Sequence, residues 1–244
     1  MPEELTPTST RILIACMPKS GSTFLSEVIA SLPDFMRVHL VDTYDRREQE
    51  LCLHTVEACS KQFGEINWVA QHHVRNSEAT QKIKEKYSLK TIVLVRNLYD
   101  IVPSLVDHHR NQSVVYPMAY VPGDICERSV EAHLQFIVDL VIPWYINFWA
   151  SWNDCPDKLV VRYEDLIRDP LNAVRSILNY CSVEFSDEIA TAVLQARSED
   201  AASIRKNVGV IGRGEMLPKQ CKETIKRFVS YYPAVDFSVI GAGA

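Results

Sequence analysis

Directly after the apolar run RILIACM (Arg11 to Met17) the chain reads Pro18-Lys19-Ser20-Gly21-Ser22-Thr23-Phe24. A short aliphatic run broken by Pro, Gly and Ser predicts a buried strand that passes through a tight loop into a helix starting near Ser22. Such a loop turns the backbone N–H groups of Lys19, Ser20, Gly21, Ser22 and Thr23 toward one point, and the helix N-terminus adds partial positive charge there. Gly21 lets the backbone approach an anion closely. Lys19 brings a full charge, and the hydroxyls of Ser22 and Thr23 bring donors. The chemistry this suits is the binding of a phosphate or sulfate group; the plain alternative is an ordinary turn with a solvated lysine. The loop is not Gly-x-x-x-x-Gly-Lys-Ser/Thr, because the lysine precedes the glycine and position 16 is Cys. The strand-like run TIVLVR (Thr91 to Arg96) ends in a cation instead of the Asp that a Mg²⁺-nucleotide site wants. Cationic side chains would have to do the work that Mg²⁺ does in such sites.

Other chemistry-bearing residues stand at the ends of predicted strands. Arg96 closes TIVLVR, and Ser104 follows one to two turns into the next helix. Both can face an anion, or Arg96 can pair with Asp100 and merely anchor the turn. His72 and His73 follow the strand-like INWVAQ. Adjacent residues point in opposite directions, so at most one faces a cleft as a neutral imidazole base. A metal would want a third ligand, and nothing in the spacing forces His108 or His109 near, so no metal site is expected. Arg205 and Lys206 precede Gly209, Gly212 and Gly214 in RKNVGVIGRGE, which reads either as a phosphate clamp or as a surface loop. Tyr145, Phe148, Trp149 and Trp152 recur at helical spacing and read as core. Tyr116 and Tyr120, in an irregular patch, are better placed to wall a pocket.

These residues need a scaffold that brings strand ends together. Strands are predicted at 11–17, 66–71, 91–96 and 158–163. Helices are predicted at 22–32, 48–63, 77–86 (capped by Ser77), 100–109, 128–151, 170–181, 187–197 and 218–230. Strands alternating with helices imply an α/β fold, a central parallel sheet flanked by helices. Ligands in such folds sit at the carboxyl ends of the strands.

With 244 residues, 47% hydrophobic and 23% charged, the chain has material for one large domain. We expect a flexible stretch over 1–10, then a single domain over 11–244 with a variable lid or substrate segment near 107–150. A net charge of −5 without a basic tract argues against broad nucleic-acid binding. No apolar run reaches the length of a membrane span, and the start lacks a secretion signal. Seven cysteines without a CxxC pair point to reduced thiols and a cytoplasmic location. Cys16 and Cys181 are expected in the core.

Taken in order, these segments resemble the sulfotransferase family that uses 3′-phosphoadenosine-5′-phosphosulfate (PAPS). PKSGSTF is similar to its 5′-phosphosulfate loop, VRNLYDIVPSL (Val95 to Leu105) to its 3′-phosphate motif, VVRYEDLIRDP (Val160 to Pro170) to its Tyr-Glu-Asp-Leu segment, and RKNVGVIGRG (Arg205 to Gly214) to its late Arg-Lys-Gly element. The resemblance runs from about Arg11 to Tyr231. It implies a P-loop NTPase-like sulfotransferase fold and transfer of a sulfuryl group from PAPS to a hydroxyl or amine, leaving 3′,5′-ADP, without a metal. It also implies roles for single residues. Lys19 would act on the 5′-phosphate and the bridging oxygen, and Ser20, Gly21, Ser22 and Thr23 would hold the 5′ end. Phe24 would replace a tryptophan against the adenine, with Tyr163 nearby. Arg96, Ser104 and Arg205 would bind the 3′-phosphate, helped by Lys206 and the backbone around Gly209. The family's base follows a strand in a Lys-Thr-His pattern. Here either His73, with Gln71 in the lysine position, or His72, with Ala70 there, fits, and Val74 favours His73. The acceptor is expected to be a small or carrier-bound molecule, and a homo-oligomer is left open. Two rival readings are a P-loop kinase or NTPase acting on a small molecule, and a silent nucleotide-binding interaction module.

Overall fold

Alternation along the first strand organises the molecule. In β1 (Arg11–Cys16) Leu13 and Ala15 join one apolar cluster while Ile12, Ile14 and Cys16 join another, so the strand is buried on both faces. This follows from its lack of a polar-out period. The computed structural model describes residues 9–41, 50–114, 118–199 and 210–243. The chain continues as α1 (Ser22–Ala30), β2 (Phe35–Val38), α2 (Leu53–Gln62), β3 (Asn67–His72), α3 (Glu78–Tyr87), β4 (Lys90–Val95) and α4 (Leu98–Asn111). Then come α5 (Val130–Phe136), α6 (Ile142–Asn153), β5 (Leu159–Arg162), α7 (Tyr163–Arg168), α8 (Pro170–Tyr180), α9 (Asp187–Glu199) and α10 (Lys219–Val229).

The five strands pair in parallel in the order β2-β3-β1-β4-β5. This is the expected parallel sheet with helices on both faces. β1 lies in the middle, so the loop after it is flanked by the ends of β3 and β4. One face carries α1 and α8 through Leu25, Val28, Val174 and Ile177. The other carries α4 and α6 through Ile101, Leu105, Tyr145 and Phe148. The aromatic stripe of α6 is core, as its spacing predicts: Tyr145, Phe148, Trp149 and Trp152 are all buried, as are Cys16 and Cys181.

Several features depart from the sequence reading. β2, the four-residue edge strand FMRV, has no clean alternation and was not expected. A short helix, α7, follows β5 where a strand end was expected. The long helix predicted over 128–151 is interrupted by a π-helical turn at Ile137–Val141, just before Pro143. Proline lacks an N–H and its ring crowds the carbonyl four residues back, and one wide turn relieves both. The helix expected to begin at Glu48 starts at Leu53; residues 42–49 lie outside the described residues. Of the expected flexible N-terminus, 1–8 also lie outside them, while Ser9 is buried and its Oγ donates to the Gly64 carbonyl at 2.6 Å.

Candidate active site at the carboxyl ends of the strands

The loop after β1 is bent by two left-handed residues, Lys19 at φ 65° and Gly21 at φ 81°. The first is uncommon for a residue with a side chain and stores local strain. Gly21 is required twice over. Its φ disfavours other residues, and a Cβ there would stand 3.2 Å from the Tyr163 ring. Ser20, wholly buried, ties the loop down by donating from Oγ to the Met17 carbonyl at 2.5 Å. Gly21 caps α1 without a side-chain hydrogen bond, and the first turn holds no acidic residue. The amides at this N-terminus are therefore not consumed by a capping side chain, which suits an anion.

Arg96, just past β4, is 3% exposed. Its Nη1 donates to the Lys19 carbonyl at 2.8 Å and to Ser104 Oγ at 3.4 Å, and Nη2 donates to the Val210 carbonyl at 3.4 Å. The guanidinium lies 4.1 Å from the centroid of the Tyr163 ring. Burial pulls its pKa below the ordinary arginine value, while Tyr163, Asp100 and Glu164 act the other way. Burial pushes the Tyr163 phenol up. No ion pair between Arg96 and Asp100 is present among the described residues. Asp100 instead accepts the backbone N–H groups of Gly212 at 2.8 Å and Gly214 at 2.7 Å. Arg96 thus carries a buried charge that no described carboxylate neutralises by direct contact, and its Nε is buried without a hydrogen-bond partner. That combination fits an anionic group arriving from outside.

The two histidines separate sharply. His72, the last residue of β3, is buried, and its Nε2 accepts the Leu40 N–H at 2.9 Å. Burial, with His39, His73 and Arg37 adding to it, holds it down to about 3. His73 stands beyond the strand end, half-buried, with its ring edge-on to Trp144 at 6.5 Å. Its Nδ1 lies 2.8 Å from the Cys16 carbonyl. A carbonyl can only accept, so Nδ1 carries the proton in a neutral ring and Nε2 is the basic nitrogen.

These placements bring Lys19, Ser20, Gly21, Ser22, Arg96, Ser104, Tyr163 and His73 to one end of the sheet. Phe24 faces a shallow, largely apolar recess of about 320 Å³ beside Pro170, Leu171 and Leu194. Thr23 lies in the first turn of α1. Tyr120 is 88% exposed. Arg205, Lys206, Gly209 and Tyr116 lie outside the described residues.

The sulfotransferase domain family model matches residues 9–209. The chain belongs to the sulfotransferase domain family. Among solved structures, mouse sulfotransferase SULT7A1 complexed with PAP is similar with a TM-score of 0.68 and 16% identity, covering 94% of this chain and 86% of that one. Retinol dehydratase in complex with androsterone and inactive cofactor PAP follows at 0.56 and 12% identity, covering 92% and 80%. The sulfotransferase domain from the curacin biosynthetic pathway gives 0.51 and 15% identity, covering 92% and 98%. No curated protein sequence matches the chain. At such identities the likeness is one of fold, and the sulfotransferase fold expected from the motifs is the fold present.

The sulfotransferase domain holds contacts that the sequence did not announce. Lys19 Nζ meets His108 Nδ1 at 3.3 Å across 89 positions, and Tyr145 donates its hydroxyl to the Pro18 carbonyl at 3.4 Å. Glu164 accepts the Asn97 N–H at 2.9 Å, which ties the turn after β5 to the turn after β4. The only available hint was that His108 lies four residues after Ser104, on the same helix face.

Proposed function

We propose that this sulfotransferase domain transfers the sulfuryl group of PAPS to a hydroxyl or amine of a small or carrier-bound acceptor, with His73 as general base. One observation carries the reading: the buried Arg96 bonds to the carbonyl of Lys19, in a loop that opens an uncapped helix N-terminus, and His73 stands at the neighbouring strand end. PAPS supplies the sulfuryl group. On this reading Arg96 and Ser104 hold the 3′-phosphate, and Ser20 to Thr23 hold the 5′ end. Phe24 and Tyr163 lie against the adenine. Arg205, Lys206 and the Gly209 backbone complete the 3′-phosphate site. His73 takes the acceptor's proton at Nε2, because Nδ1–H is held by the Cys16 carbonyl. Lys19 and the α1 amides stabilise the charge that develops on the departing phosphate. His72 is left out of the chemistry, since its Nε2 is already engaged by a backbone amide. The scheme needs no metal. A cytoplasmic location belongs to the same proposal.

The decisive experiment measures 3′,5′-ADP binding by calorimetry and then screens acceptors with labelled PAPS. Uptake of 3′,5′-ADP with transfer of label supports the reading. A folded protein that takes up none overturns it. Tight binding without transfer to any acceptor points to a silent binding module, and Mg²⁺-dependent ATP hydrolysis points to an NTPase.

A further inference from the structure

Away from the strand-end site, where β4 and β5 begin, a buried lysine meets a buried thiol. Lys84 Nζ, on α3, lies 3.4 Å from Cys155 Sγ, 3.4 Å from Gln81 Oε1 and 5.0 Å from the centroid of the Trp152 ring. Gln81 Nε2 reaches the same sulfur at 3.3 Å. Cys59, Cys126 and Cys221 donate their S–H groups to oxygens. The Cys155 sulfur instead accepts from two nitrogens, and one of them is a primary amine. Cys155 occupies the turn between α6 and β5; it is buried, and its chain neighbours Asp154 and Pro156 are exposed.

We propose that Cys155 and Lys84 form a reversible sulfur–nitrogen crosslink when the protein meets hydrogen peroxide. The sulfur attacks one peroxide oxygen. An S–O bond forms, the O–O bond breaks, and a sulfenic acid and one water result. The Lys84 nitrogen, within hydrogen-bond distance, then attacks the sulfenyl sulfur. The S–N bond forms, the S–O bond breaks, and a second water leaves. The sulfur loses two electrons and the peroxide gains two; from ammonium and thiol, one proton passes to solvent. The product staples α3 to the turn before β5 across 71 positions of chain. The proposal stands apart from sulfuryl transfer, because neither residue touches Lys19, Arg96 or His73.

The test treats the native full-length protein with hydrogen peroxide, digests it with trypsin without reductant, and weighs the peptides. Expected is a peptide pair joined through Lys84 and Cys155, lighter by about 2 Da than the two together, uncut after Lys84 and released by dithiothreitol. Lys84→Met should instead leave Cys155 as a sulfenic acid that dimedone captures. A Cys155 that stays a free thiol overturns the proposal. So does a wild-type Cys155 that gives only the dimedone adduct or a higher oxide, or a joined pair that persists in Lys84→Met. All of these readouts are masses, so they are independent of whether the protein binds nucleotide.

Discussion

Two buried cations bracket β4, Lys84 before it and Arg96 after it, and they are held differently. Each lies over an aromatic ring, Trp152 for Lys84 and Tyr163 for Arg96, and neither has an ion pair among the described residues. Arg96 is gripped mainly by backbone, the carbonyls of Lys19 and Val210, with Ser104 Oγ beside them. Among the described residues Lys84 is met by side chains, those of Gln81 and Cys155. Carbonyls fixed by loops cannot turn away, so the Arg96 guanidinium is held in place, as the proposed anion-binding role requires. Side chains can repack, so Lys84 is free to change partners. The two proposed sites thus differ in kind: the one at the carboxyl ends of the strands is held largely by backbone, the one at the amino ends by side chains.

The contrast breaks most visibly in turnover. His73→Ala should lower kcat by about 10² to 10⁴-fold while leaving 3′,5′-ADP affinity within about 2-fold, measured by transfer of label and by calorimetry. Lys84→Met should change neither. Equal activity after replacing both His72 and His73 removes the base from the scheme. Next comes affinity. Arg96→Ala should weaken 3′,5′-ADP by about 100-fold, the loss expected for charge-assisted bonds to one phosphate. Arg96→Lys should recover little, because one ammonium cannot span the carbonyl and a phosphate together.

A smaller effect comes from pH. His72 and His109 are held neutral by burial, at about 3 and about 4 against an ordinary 6.5. Their folded-state values lie below the unfolded one, so the stability they carry is complete above pH 6.5. It is lost as pH falls from there toward 4 and 3. Urea midpoints should drop across that window, and His72→Gln should blunt the drop. The smallest effect concerns Cys181. Burial pushes its thiol up to about 12, so iodoacetamide at pH 8 should leave it unlabelled until the protein unfolds.

Local order was readable wherever local physics decides it. β1 and β4 are strands because Ile12 to Cys16 and Ile92 to Val95 are unbroken apolar runs, and Ser77 caps α3 by accepting the Thr80 N–H. The Lys19 loop and Arg96 were readable for the same reason, as strand ends in a parallel sheet. Contacts set by strand order were not. Lys19 meets His108, and Tyr163 packs on Gly21 and Arg96, because β1 sits beside β4 and β4 beside β5. No spacing within a segment encodes that adjacency. β2 escaped notice because four edge residues, one of them Arg37, leave too little pattern to count. Local spacing leans to His73 over His72 only through Val74. Their tertiary partners differ, Leu40 for His72 and Cys16 for His73.

The wide turn at Ile137–Val141 gives α6 a tolerance to changes in length. A π turn is a helix carrying one surplus residue that its flanks do not feel. Losing one residue there, with Pro143 also replaced, would restore ordinary winding and keep Trp144 and Tyr145 facing His73 and Pro18. Losing one after Ile142 would swing the rest of the aromatic face by roughly 100°. Homologues and engineered variants should therefore differ in length before Pro143 and not after it.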